Sequence, residues 1–76
     1  MDIDITRIDE TVLALLWFNF NATGTAWKGF DWSAMERLHK RDLITNPVRK
    51  SKSVVLSSEG MTEGERLFRK LFSRPE

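Results

Sequence analysis

The chain has no cysteine, no tyrosine, two prolines and a single histidine among its 76 residues. Without cysteine, neither a disulfide nor a thiolate metal site can staple the fold, and Cys–His nucleophilic chemistry is excluded. The lone imidazole, His39, lies at the apolar edge of a helical pattern and reads as a structural, hydrogen-bonded side chain. No His or carboxylate cluster has metal-ligand spacing. Gly24-Thr25-Ala26 and Gly60-Met61-Thr62 are too sparse to cradle a phosphate. Asp2, Asp4, Asp9 and Glu10 read as charges of a first helical turn, not as an acid–base pair. The expectation is a protein that is not an enzyme and that uses no cofactor and no metal.

Long apolar runs are also missing. The stretch Val12–Phe20 falls far short of the ~20 residues of a membrane span. The acidic start Met1-Asp2-Ile3-Asp4 is unlike a basic export signal, so the Asn21-Ala22-Thr23 acceptor sequence carries no weight. These features predict a cytoplasmic protein with no membrane partner and no evident small-molecule ligand. A chain this short makes one domain, residues 1–76, and buries only about 60% of its unfolded surface, so most large apolar side chains are needed inside. Three Trp and five Phe supply much of that area.

Net charge is +1, but it is unevenly placed. Residues 1–10 carry four acids and one base, residues 11–27 carry no charge, and residues 28–52 carry seven bases and three acids. The basic part is the middle third.

Periodicity predicts an α+β, mostly α, architecture. Ile8, Val12, Leu15 and Leu16 form one helical stripe and Leu13, Trp17 and Phe20 a second, giving a helix over about 7–20. Asp4, Thr6 and Asp9 compete as its cap. The two stripes cover about half the circumference or more, wider than the ~100° of a surface helix, which suits a central core element or part of a dimer interface. Asn21 to Phe30 reads as a loop rich in aromatics, with Trp27, Phe30 and Trp32 filling the space of a helix that is missing there. Asp31 caps a second helix over about 32–41 whose outer face holds Ser33, Glu36, Arg37, Lys40 and Arg41. Asp42 sits where a left-handed residue, usually Gly, ends a helix. Residues 44–56 read as a hairpin with a basic tip, Arg49-Lys50-Ser51-Lys52, and a β-branched return strand, Ser53-Val54-Val55-Leu56. Ser57 caps a last helix over about 58–73, with Met61, Leu67, Phe68, Leu71 and Phe72 facing inward and Gly60 and Gly64 allowing close packing.

Helix, turn, basic hairpin, strand and helix in that order describe a winged helix. The segments Arg37-Leu38-His39-Lys40-Arg41-Asp42-Leu43-Ile44 and Val54-Val55-Leu56-Ser57-Ser58-Glu59-Gly60 resemble the winged-helix half of MarR- and PadR-type transcription regulators. The whole chain resembles a family of small uncharacterised bacterial proteins, a domain of unknown function. The residues that carry this are Leu13-Ala14-Leu15-Leu16, Ala26-Trp27-Lys28-Gly29-Phe30-Asp31-Trp32, Leu38-His39, Lys50-Ser51-Lys52-Ser53-Val54-Val55 and Leu67-Phe68-Arg69-Lys70-Leu71-Phe72. That resemblance implies a bacterial cytoplasmic protein and lends no activity.

Two functional expectations follow. The first is a homodimeric winged helix that binds double-stranded DNA, with Ser33, Arg37, Lys40 and Arg41 of the second helix and Arg49, Lys50 and Lys52 of the wing as contacts. The second is a protein-interaction or dimerisation module with no nucleic-acid binding, using Leu13, Trp17, Phe20 and Trp27. Glu36 among the helix cations argues for a solvated face against phosphate contact.

Overall fold

The computed structural model describes residues 1–48 and 52–74. The elements in chain order are α1 (Ile5–Thr23), β1 (Ala26–Trp27), α2 (Trp32–Lys40), β2 (Ser53–Val54) and α3 (Ser58–Phe72). The fold is a small, mostly helical α+β arrangement of three helices and one two-stranded antiparallel ribbon.

Each helix starts where a side-chain oxygen satisfies a backbone N–H that the helix itself cannot. Asp4 wins the competition at α1, accepting the Arg7 N–H at 2.9 Å. Asp31 accepts the Ala34 N–H at 3.0 Å, and Ser57 Oγ accepts the Gly60 N–H at 3.0 Å. Helix α1 is longer than the periodicity predicts and runs through Asn21 to Thr23. The Thr23 hydroxyl folds back onto the Asn19 carbonyl at 2.8 Å, and the chain first turns at Gly24, whose φ of 77° is left-handed.

Helix α2 ends at Arg41 in a six-residue closing turn. The Asp42 N–H donates to the His39 carbonyl at 2.9 Å and the Leu43 N–H to the Leu38 carbonyl at 3.1 Å, the paired bonds of a Schellman motif. Asp42 is the left-handed residue, with φ 58°. A β-carbon in that conformation costs about 1 kcal/mol. Asp42→Gly is therefore expected to stabilise the fold, offset in part by glycine's extra unfolded-state entropy. The expected gain is ~0.5 kcal/mol, a rise of about 2–4 °C in Tm on a calorimetric scan; a fall in Tm would refute the strain argument.

The segment around residue 26 is a correction to the expected loop. Ala26 pairs with Val54 and Trp27 with Ser53, so β1 is a strand. Two residues are too few for a periodicity to show. What makes the strand is burial: Ala26 and Val54 both enter the core at 0% and 2% exposure, and their backbone groups need partners there. Among the described residues the expected hairpin of residues 44–56 is paired at its base. Ile44 bridges Leu56, and the Thr45 N–H donates to the Val55 carbonyl at 2.9 Å. Strand β2 gives its ladder to β1, and the Lys28 N–H extends it to the Lys52 carbonyl at 3.2 Å. The residues 49–51 of the expected tip lie outside the described residues.

The core joins Val12, Leu13 and Leu16 of α1, Met35 and Leu38 of α2, Leu43, Ile44, Val54 and Leu56 of the β region, and Leu67 of α3. Helices α1 and α3 approach closely because Gly64 has no side chain: a β-carbon there would stand 2.7 Å from the Trp17 Cβ. The contacts between them climb together. Gly64 meets Leu13 and Trp17, and Phe68 meets Trp17 and Phe18, so the last turn of α3 lies toward the C-terminal end of α1. Of the five residues expected to face inward from α3, Leu67 is buried and Met61 and Phe68 are half-buried. Leu71 and Phe72 stand outside at 36% and 46% exposure.

Candidate functional site: the outward surfaces

The cations of α2 divide into two groups. Arg37 does not project to solvent as expected from its helical position. Its Nε donates to Asp9 Oδ2 and its Nη2 to Asp9 Oδ1, each at 2.7 Å. The Asp9 side chain is 8% exposed and that of Arg37 35%. These hydrogen bonds raise the Arg37 pKa further above its ordinary value. Asp9 is thus not a free first-turn charge but one half of a clamp between α1 and α2. The bidentate planar geometry is why an arginine, and not a lysine, stands here.

Arg41 caps α2 and lines a shallow groove with Ser58, Glu59 and Glu63. Glu63 is held below the usual carboxylate range by its hydrogen bond from Arg66, with Arg41 adding a smaller share. Ser33, Lys40, Arg41 and Lys52 are exposed, as expected. Arg49 and Lys50, the other two expected contacts, lie outside the described residues. Lys28, which sequence reasoning left unassigned, donates its Nζ to the Pro47 carbonyl at 2.7 Å and ties the end of β1 to the residues after Asn46.

His39 accounts for itself structurally. Its Nδ1 lies 3.2 Å from the Ile44 carbonyl. A carbonyl only accepts, so Nδ1 carries the proton. Among the described residues no group of three or more His, Asp or Glu side chains is placed to hold a metal ion, and no helix is long and apolar enough to cross a membrane.

The apolar surface differs from the expected one. Leu13, expected at an interface, is 1% exposed and belongs to the core. Trp17 and Phe20 are half-buried and pack against the core, Trp17 with its ring 5.4 Å from that of Phe68. Trp27 does face outward, at 56% exposure. Of the three aromatics expected to fill a gap, only Phe30 does so; Trp32 is 49% exposed.

What sequence reasoning missed is a third stripe on α1. Ile8, Thr11, Leu15, Phe18 and Ala22 recur at alternating steps of three and four, the spacing of a helix–helix seam. None of them is buried. Beside this stripe Ile3, Ile8, Val12, Leu15 and Phe30 line an apolar groove. At its far end Phe18 lies flat on Phe68, with ring centroids 4.9 Å apart and planes within 3°, and Phe68 touches Phe72 at 5.4 Å. The signal is present in the spacing, but Ile8 and Leu15 also fit the stripe of buried Val12 and Leu16, which hides it.

The molecule is therefore a small, mostly helical α+β domain with an apolar stripe left exposed on its first helix. The chain matches the domain of unknown function DUF6429 over residues 4–74 and belongs to that family. It is 55% identical over 74 residues to the uncharacterized protein y4hR of Sinorhizobium fredii (strain NBRC 101917 / NGR234), covering 97% of this chain and all of that protein. No solved structure matches it.

Proposed function

We propose that the protein is a protein-association module on a winged-helix-like frame, acting in the cytoplasm by binding and not by catalysis. The order of α1, β1, α2, β2 and α3, with Ile44 bridging the far edge of the β2 region, supports that frame. The observation that carries the association reading is the uncovered side of α1 and α3. Ile8, Phe18, Leu71 and Phe72 stand 36–46% exposed on a chain that has little apolar surface to spare. The second helix points the same way, because Arg37, the central cation of its outer face, is committed to Asp9.

The DNA reading retains one supporting observation: Ser33, Lys40, Arg41 and Lys52 are exposed, and Lys52 follows the basic residues 49 and 50 in the sequence. The two readings separate in one experiment. Sedimentation from micromolar to millimolar protein, with a labelled random duplex present, is expected to show association that survives high salt and no co-sedimenting duplex even at low salt. A monomer that carries duplex with it, and releases it as salt rises, would overturn the association reading in favour of DNA.

A further inference from the structure

We propose that the occupant of the α1 seam is a second copy of this chain, packed antiparallel with its two-fold axis at Leu15. The inference rests on the association reading above and commits it to one partner and one register.

Antiparallel packing about Leu15 sets each position of the stripe against its mirror across that residue. Leu15 then meets Leu15 of the partner, Ile8 meets the partner's Ala22, Thr11 meets the partner's Asn19, and Phe18 meets the partner's Val12. Every pair is matched in kind. Large Ile8 faces small Ala22, and polar Thr11 faces polar Asn19. The Phe18 ring, 45% exposed in the single copy, is set into the partner's apolar groove, where the core residue Val12, 6% exposed, is part of the lining. Alternating steps of three and four let two such stripes interlock at a crossing of about 20°. An isologous contact needs a self-complementary patch, which this register supplies.

Charge selects the direction. Residues 11–27 carry no charge, so nothing repels along most of the seam. Its two ends differ in sign. The N-terminal end holds Asp2, Asp4 and Glu10, which outnumber the single base there, Arg7, all of them wholly or partly exposed. At the other end the last turn of α3 brings exposed Lys70, and Arg74 just after it. Antiparallel copies set acids against bases at both ends. Parallel copies would set acids against acids and bases against bases. The opposed helix dipoles act in the same sense, though weakly.

The chain has no cysteine, so a single engineered one reports the register cleanly. In this geometry the two copies of residue 15 face one another, within the ~7 Å Cα separation a disulfide tolerates. The two copies of residue 8 stand about 21 Å apart at 1.5 Å per residue. Under mild oxidation Leu15→Cys is expected to convert to a disulfide-linked dimer on a non-reducing gel, and Ile8→Cys to remain monomeric. The wild type should sediment at twice its 8.9 kDa. Ile8→Arg, at an exposed position, should sediment at that single mass with unchanged helical circular dichroism. Cross-linking of both cysteine variants would show a parallel pair and overturn the proposal. A wild type that self-associates while neither variant cross-links would overturn this register and leave the association reading in place. A wild-type monomer at millimolar concentration would overturn the dimer outright, whereas the association reading itself fails only if that monomer carries duplex.

Discussion

Gly60→Ala is expected to unfold the protein or to lower its Tm by more than about 15 °C. At an exposed helical position the same change would stabilise by about 1 kcal/mol, because alanine is the better helix former. Here packing reverses the sign. A β-carbon on Gly60 would stand 2.0 Å from the Leu43 carbonyl oxygen and 3.0 Å from its carbon. Both are backbone atoms and have no rotamer through which to escape. Relief requires the first turn of α3 to lift away from residue 43. That movement strains the Ser57 N–H bond to the same Leu43 carbonyl, 3.0 Å long, and the Ser57 hydroxyl bond to the Asp42 carbonyl, 2.7 Å long. It also opens the contact with Leu56, a core residue at 6% exposure. Overpacking typically costs about 1–3 kcal/mol where side chains can yield, and more where they cannot. A domain of this size holds only some 4–11 kcal/mol in all. Gly29 supplies the control: a β-carbon there meets nothing within 4 Å, so Gly29→Ala should leave the melting curve where it is. Equal melting temperatures for the two variants would mean that the close approach at residue 60 is not a constraint.

The second large effect is expected at the Asp9–Arg37 clamp, and it is non-additive. Replacing Arg37 with Met leaves a carboxylate at 8% side-chain exposure without its two donors. An unsatisfied buried polar group costs about 1–3 kcal/mol, and a charged one more. Asp9→Leu should cost less, because the freed guanidinium is more exposed and reaches water. Replacing both, Asp9→Leu with Arg37→Met, removes the desolvated charges together and is expected to recover most or all of the loss. Urea denaturation of the four proteins at pH 7 closes the double-mutant cycle. Additive losses would show that the two side chains stabilise the fold separately, with no coupling energy between them.

The clamp also carries a functional meaning. By position on α2, Arg37 is the central residue of the face that would approach DNA, and its spacing from Ser33 and Lys40 gives no hint of its partner. The partner is 28 residues away in sequence. Only the packing of α1 on α2 brings Asp9 within 2.7 Å and turns a candidate phosphate contact into an internal tie. Lys28 behaves similarly, reaching 19 residues along the chain to the Pro47 carbonyl. Cations that look alike in the sequence therefore divide by tertiary environment, with Lys40 and Lys52 facing outward while Arg37 is held in.

Local chemistry was legible from the residues. Caps act within one turn, so Ser57 could be assigned, Asp31 named beside a competing Ser33–Glu36 capping box, and Asp4 named among three rivals, from composition and spacing. Left-handed closure at Asp42 depends on the residue's own backbone and on a turn that must end there, and it too was expected. The close approach at Gly60 and Gly64 agrees with the expectation that these glycines allow close packing. Strand β1 was not anticipated, since its pairing with β2 spans 28 residues from Ala26 to Val54 and leaves no local period to read.

The sequence by itself determined three helices, their caps, and a first helix apolar around more of its circumference than one neighbour can cover. Those properties follow from interactions between residues a few positions apart. Tertiary structure alone decided which stripe of that helix is spent on the core and which is left outside. Leu13 went in and Phe18 stayed out because α3 can approach only where Gly64 admits it, and a choice made by a residue some fifty positions away is invisible to any pattern within the helix itself.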